Sequence, residues 1–136
     1  MIQLRVVTPY GNGFQGEVKR VIARGVEGDL AFMKGTAPLV TPLAIGKMTV
    51  IFADGKKRVG NISSGYVSMK NDVLTLVSDA FEWEDEVDFA RAEEAKARAE
   101  KQLRERSEQS KIEIERAKLA LARAINRLNR KDEKML

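Results

Sequence analysis

The sequence contains no cysteine and no histidine. Without cysteine there is no disulfide framework and no thiolate nucleophile, and without histidine the commonest general base and zinc ligand are missing. Much enzymology is thereby excluded. Aromatic residues are sparse at 6%. No run approaches the roughly 18 consecutive apolar residues a bilayer span requires, and the opening Met1-Ile2-Gln3-Leu4-Arg5 lacks the basic-then-apolar layout of a secretory signal, so the chain is expected to stay in the cytoplasm. Glycine and proline are absent from the whole second part: all ten glycines and all three prolines lie at or before Gly65.

What is present is ordinary for a globular protein, with 43% apolar and 32% charged residues over 136 positions. That length accommodates one ordinary domain or two small units. The net charge of +4 is spread evenly, 10 cations against 8 anions over residues 1–84 and 14 against 12 over residues 85–136. Charges of alternating sign fit a solvated helix surface better than a nucleic-acid-binding face, so no nucleic-acid partner is expected.

The glycine- and proline-containing first part reads as short strands. In Ile2-Gln3-Leu4-Arg5-Val6 apolar and polar residues alternate with period two, and Phe14 to Arg24 repeats the theme. Met48 to Phe52 is followed by Asp54-Gly55, a dipeptide suited to positive φ angles, which predicts a hairpin over 48–62. A second hairpin is predicted from Tyr66–Met69 and Val73–Val77, joined by Lys70-Asn71-Asp72. So many strands in so short a stretch indicate a β-sandwich or flattened barrel.

The second part has a helix-start signal at Asp85-Glu86-Val87-Asp88, whose carboxylates can accept from free amides and complement the helix dipole. Ala92, Ala95, Ala99 and Leu103 then recur at helical spacing until Ser107-Glu108-Gln109-Ser110 interrupts. From about Lys111 a second stripe follows, made of Ile114, Ala117, Leu121, Ile125 and Leu128. Two helices joined by a short connection become antiparallel neighbours, and the alanines let the larger Leu and Ile of the second helix approach closely. The expected fold is α+β: an antiparallel β-sandwich over residues 1–84, then an antiparallel two-helix hairpin over 85–136. The alanine-rich seam makes that hairpin marginal by itself.

A sandwich followed by an Ala- and Arg-rich hairpin, with Val7-Thr8-Pro9, Gly28-Asp29-Leu30, Ala37 to Leu43, Ser64-Gly65-Tyr66-Val67 and Arg123-Ala124-Ile125-Asn126-Arg127-Leu128, resembles the epsilon subunit of bacterial F-type ATP synthases. The likeness spans essentially the whole chain. Val87-Asp88-Phe89-Ala90-Arg91-Ala92 is similar to that family's ATP-binding motif of Ile or Leu, Asp, two free positions, Arg and Ala, with Val in the first place. By the same resemblance Glu82, Arg98, Arg123 and Arg127 fall on positions that help hold ATP, with Mg²⁺ as a possible companion. The stretch Ala31 to Thr36 departs from the family's usual run.

The resemblance implies a non-catalytic rotor subunit. Its sandwich is expected to bind the gamma subunit and the ring of c subunits at the cytoplasmic face of the cell membrane. Its hairpin is expected to alternate between a contracted state held by ATP and an extended state that meets beta and alpha subunits and inhibits ATP hydrolysis. No Gly-x-x-x-x-Gly-Lys-Ser/Thr loop exists, so hydrolysis by the chain itself is not expected. The guanidinium fork nonetheless matches phosphate oxygens, and Arg123 and Arg127 stand one helical turn apart. The plainer reading is that Asp88 pairs with Arg91 along the helix and the arginines are solvated. Glu82, Glu84, Asp85, Glu86 and Asp88 can in principle attract a divalent cation or act as paired carboxylates, with helix capping the preferred reading. Trp83 is expected to pack between sandwich and hairpin. The alternative function is a β-sandwich adaptor or coiled-coil chaperone with no nucleotide role.

Overall fold

The computed structural model describes residues 1–104 and 111–135. The predicted Ser107–Ser110 interruption lies outside the described residues. The chain divides into two compact units, Met1–Glu84 and Asp85–Leu136.

The first unit is a sandwich of nine strands: β1 (Ile2–Thr8), β2 (Gly11–Val18), β3 (Arg20–Gly25), β4 (Gly28–Met33), β5 (Leu39–Ile51), β6 (Lys57–Ile62), β7 (Gly65–Lys70), β8 (Val73–Ser78) and β9 (Phe81–Trp83). Their order is β2-β1-β8-β7-β5-β3-β4, with β6 and then β9 added beside β5. The long β5 serves both layers. Leu39–Leu43 pairs with β7, whereas Met48–Ile51 pairs with β3 and β6.

Both expected hairpins form. The turn after β5 is the three-residue kind rather than a tight dipeptide turn: the Phe52 and Gly55 backbones bond at 2.9 Å, and only Gly55 takes positive φ, at 84°. Between β7 and β8, Asn71 and Asp72 both take positive φ, 51° and 59°, the conformation that matches strand twist in two-residue hairpins. Two features depart from the sequence reading. The Phe14–Arg24 stretch is two strands, because at Lys19 the chain leaves β1 and its amide bonds instead to Ile51 carbonyl at 2.8 Å. And β1 pairs with β8 in parallel, within an otherwise antiparallel sheet.

Alternation sends Ile2, Leu4 and Val6 of β1, Leu74 and Leu76 of β8, and Val67 and Met69 of β7 inward. They meet Val21, Phe32, Met48 and Val50 from the other layer, all nearly inaccessible. Each such side chain contributes about 1.5–3 kcal/mol. Between β2 and β9 the layers are closed by rings: Phe14 lies edge-on to Trp83 at 5.7 Å and to Phe52 at 6.2 Å, and Phe81 to Trp83 at 5.0 Å. Phe81 fits because its neighbours are glycines. A Cβ on Gly13 or Gly60 would stand 2.6 or 2.7 Å from its ring.

A short 3-10 turn, Glu84–Glu86, carries the chain into the second unit, where α1 (Phe89–Arg104) is followed by α2 (Lys111–Met135). Their seam is alanine on both sides. Ala92 and Ala99 of α1 and Ala117 and Ala124 of α2 are 1–2% exposed, while Ala95, Leu103, Leu121 and Leu128 are half-buried. Ile125, expected in the α2 stripe, is instead 39% exposed. Counting four then three from Ala117 through Leu121 reaches position 124, so the helical period places the small side chain inside and the larger one out. Methyl-to-methyl contact brings the helices close but buries little area.

Candidate nucleotide site on the helical hairpin

The site residues assemble from the start of α1 and the second half of α2. Asp88 is the residue before the first helical turn. Its Oδ1 accepts from the Arg91 amide at 3.1 Å and its carbonyl from the Ala92 amide at 3.0 Å. That is an N-cap, which contributes about 0.5–2 kcal/mol. The carboxylate therefore serves the backbone, and this is the described partner in place of the Arg91 side-chain pairing anticipated from spacing. Val87, half-buried, leads into the cap. A cap can be separated from a ligand contact. Asp88→Asn is expected to leave hairpin stability within a few tenths of a kcal/mol, whereas Asp88→Ala lowers it by about 1 kcal/mol, as read from thermal unfolding without nucleotide.

Arg91 and Arg98 are exposed and seven residues apart on α1; Arg123 and Arg127 are half-buried and four apart on α2. Each pair lies about 100° round its helix from the alanine seam, on the flank that antiparallel packing turns to the same side. Along the axis, Arg91 falls level with the Arg123–Arg127 turn, and Arg98 lies roughly 10 Å further toward the helix connection at 1.5 Å per residue. Arg123 and Arg127 are themselves about 6 Å apart along α2, so Arg91 lies between their levels and Arg98 stands off. Ala92 is buried in the seam, where its methyl sets the helix spacing. Glu82 belongs to the first unit, half-buried on β9, where its Oε1 accepts from Asn61 Nδ2 at 3.5 Å.

Sequence reasoning missed a polar pair on α2. Asn126 and Arg130 are 9% and 5% exposed, and Arg130 Nη1 donates to Asn126 Oδ1 at 3.4 Å. Their i, i+4 spacing is the signal that identifies them. Trp83 has a described setting within the first unit. Its described partners are Phe14, Phe81 and the Arg58 guanidinium 4.0 Å above its ring, all in the first unit, which makes it a sandwich-core residue.

Comparison with known proteins places this architecture. Residues 1–84 match the family model for the β-sandwich domain of the ATP synthase delta/epsilon chain, and residues 85–130 match that of its long α-helix domain. The chain belongs to the ATP synthase delta/epsilon family. It is 40% identical over 135 residues to an ATP synthase epsilon chain of Ruminococcus albus, covering 98% of each. To an epsilon chain of Exiguobacterium it is 38% identical over 133 residues, covering 98% of this chain and 97% of the other. An Acetobacterium woodii relative described as sodium ion specific is 40% identical over 101 residues, 74% of this chain and 76% of that one. Among solved structures, a chain of the Euglena gracilis mitochondrial ATP synthase superposes with a TM-score of 0.77 at 20% identity, over 92% of this chain and 78% of the other. That likeness speaks for the fold. No helix among the described residues is long and apolar enough to cross a membrane.

Proposed function

We propose that this chain is a non-catalytic central-stalk subunit of a proton-translocating F-type ATP synthase at the cytoplasmic face of the cell membrane. Its sandwich fastens the gamma subunit to the c ring, and its hairpin restrains ATP hydrolysis. The carrying observation is a two-part build matched along its length by the epsilon family: a sandwich with a large core, then a hairpin seamed by alanine.

The outer sheet face supports a docking role. Register aligns Pro42 of β5, Tyr66 of β7, Val77 of β8 and Val7 of β1 in one row across four strands, with Val40 beside it at 71% exposure and Tyr66 at 49%. An apolar row this long on a solvent face fits a partner surface, assigned here to gamma. At one end of the sandwich, the turn between β3 and β4 and residues Thr41 and Pro42 line a groove of ≈ 530 Å³, beside which Val26 is 60% exposed. That end is assigned to the c ring. Tyr66→Glu is expected to weaken capture of gamma by more than tenfold with the unfolding midpoint retained. Equal capture would remove gamma from this face.

The hairpin responds to ATP, with or without Mg²⁺, through the arginine flank. A polyphosphate spanning Arg91, Arg123 and Arg127 would engage guanidinium forks of both helices and so favour the state in which the helices are paired. Arg98 and the Asp88 cap complete the site, with Val87 and Ala92 fixing the start of α1, and Glu82 of β9 is included with them on the family resemblance alone. In the contracted state ATP holds the helices together. At low ATP the hairpin extends, and the cations of α2 meet acidic surfaces of beta and alpha subunits.

A further inference from the structure

The strand order gathers cations at one end of the sandwich. Lys19 and Arg20 open β3, Lys34 follows β4, Lys57 opens β6 and Lys70 closes β7. The pairings that hold them together are Arg20 opposite both Met33 and Ile51, Ile51 opposite Lys57, and Lys70 opposite Val73. The two layers are tied there, since the Gly35 amide donates to Asp72 Oδ1 at 2.9 Å and the Gln3 amide to the Asp72 carbonyl at 2.9 Å. All five cations are exposed. Among them stand Met1, Met33 and Val73, 44%, 44% and 38% exposed.

The carboxylates at this end do not neutralise the group. Asp54 lies 4.0 Å from Lys56 and caps the Lys56 amide, and Asp72 receives the Gly35 amide. Glu17 points to the outer face from β2, opposite Gln3. Among the described residues no ion pair involves Lys19, Arg20, Lys34, Lys57 or Lys70. The far end differs in sign, with Glu27 and Asp79 on its turns and Asp29, at the start of β4, held by Arg24 at 3.1 Å.

We infer that this basic end is a second docking surface, distinct from the apolar sheet face, and that it takes an acidic polypeptide segment carrying one or two apolar side chains. An apolar centre rimmed by unneutralised cations is the complement of such a segment, with carboxylates on the rim and a leucine-like side chain over Met33 and Val73. A membrane surface fits less well, because the centre is flush and no aromatic side chain projects from it to enter an interface; Tyr10, 93% exposed, is at the opposite end. A nucleic acid fits less well too, since the end is small and carries an apolar centre with no aromatic side chain on which a base could stack.

The test is an amide NMR titration of the full chain with an eight-residue peptide of glutamates interrupted by two leucines, alongside its glutamine counterpart. Vesicles containing phosphatidylserine form a third arm. Shifts are expected at Lys19–Arg20, Lys34–Gly35, Lys57 and Lys70–Val73, with affinity at least tenfold lower for K34E/K57E/K70E at about 50 mM salt, where the Debye length is longer than in cellular salt. The core amides of that variant report that it remains folded. The glutamine peptide should leave the spectrum unchanged. Shifts confined to α2, equal affinity for the triple variant, or reversal-sensitive binding to vesicles with none to the acidic peptide would each overturn the inference. None of these outcomes depends on gamma or the c ring, so the proposed rotor role stands or falls separately.

Discussion

Replacing both Arg91 and Arg127 by alanine is expected to weaken ATP binding to the isolated chain by two orders of magnitude or more. Each guanidinium can donate charge-assisted hydrogen bonds to phosphate, and such a bond is worth about 1.5–3 kcal/mol, or roughly 10–100-fold in affinity. The two residues stand at one level on facing helices, so one polyphosphate can engage both. Lysine at each position retains charge but loses the planar fork, and should recover only part of the affinity. Arg98→Ala, further along the axis, should cost less than either. Calorimetry on folded variants decides the matter, and unchanged affinity in the double variant would discard the site.

Removing residues 88–136 from the assembled enzyme is the second large effect. Truncation there takes away the cap and both helices while leaving Trp83 and its ring contacts in place, so the sandwich should fold and bind as before. ATP hydrolysis should rise several-fold, most at low ATP, where the proposal has the full-length hairpin extended. Activity equal to that of the full-length assembly at every ATP concentration would end the brake reading. The proposed brake draws on a difference between the cores of the two units. The sandwich buries Phe32, Leu4, Leu74, Leu76 and Met48, whereas the hairpin seam buries four alanines. A methyl yields about 0.8 kcal/mol on burial and a leucine or phenylalanine about 1.5–3 kcal/mol, which puts the hairpin at the low-stability end of the chain. ATP at a hundred times its dissociation constant adds about 2.7 kcal/mol, a large share of so small a total.

Local chemistry made much of this legible. Asn71-Asp72 announced its turn because left-handed backbone favours those residues, and Asp88 announced its helix because a carboxylate before a free amide is a cap. The absence of glycine and proline after Gly65 marked the helical part. Non-local choices were hidden: nothing in Ile2–Thr8 specifies that its second neighbour is β8 and parallel, since that pairing spans some seventy residues and no turn encodes it. Nor does Phe14–Arg24 reveal the change of partner at Lys19. Size misled at Ile125, where a large apolar residue stands out from the seam and the smaller Ala124 lies in it. The neighbours of Trp83 were hidden as well, because Phe14 and Arg58 are distant from it in sequence. For the nucleotide site, helical spacing conveyed which arginines share a flank, but the buried Asn126–Arg130 pair emerged only with the fold.

Amide hydrogen exchange of the isolated full-length chain, with and without saturating ATP, bears most directly on a nucleotide-held hairpin. Exchange through Phe89–Arg104 and the first half of α2 should slow on adding ATP, while the core strands β1, β7 and β8 stay as they were, and R91A/R127A should show no slowing. Helices that exchange at the same rate with ATP bound as without it would contradict the account.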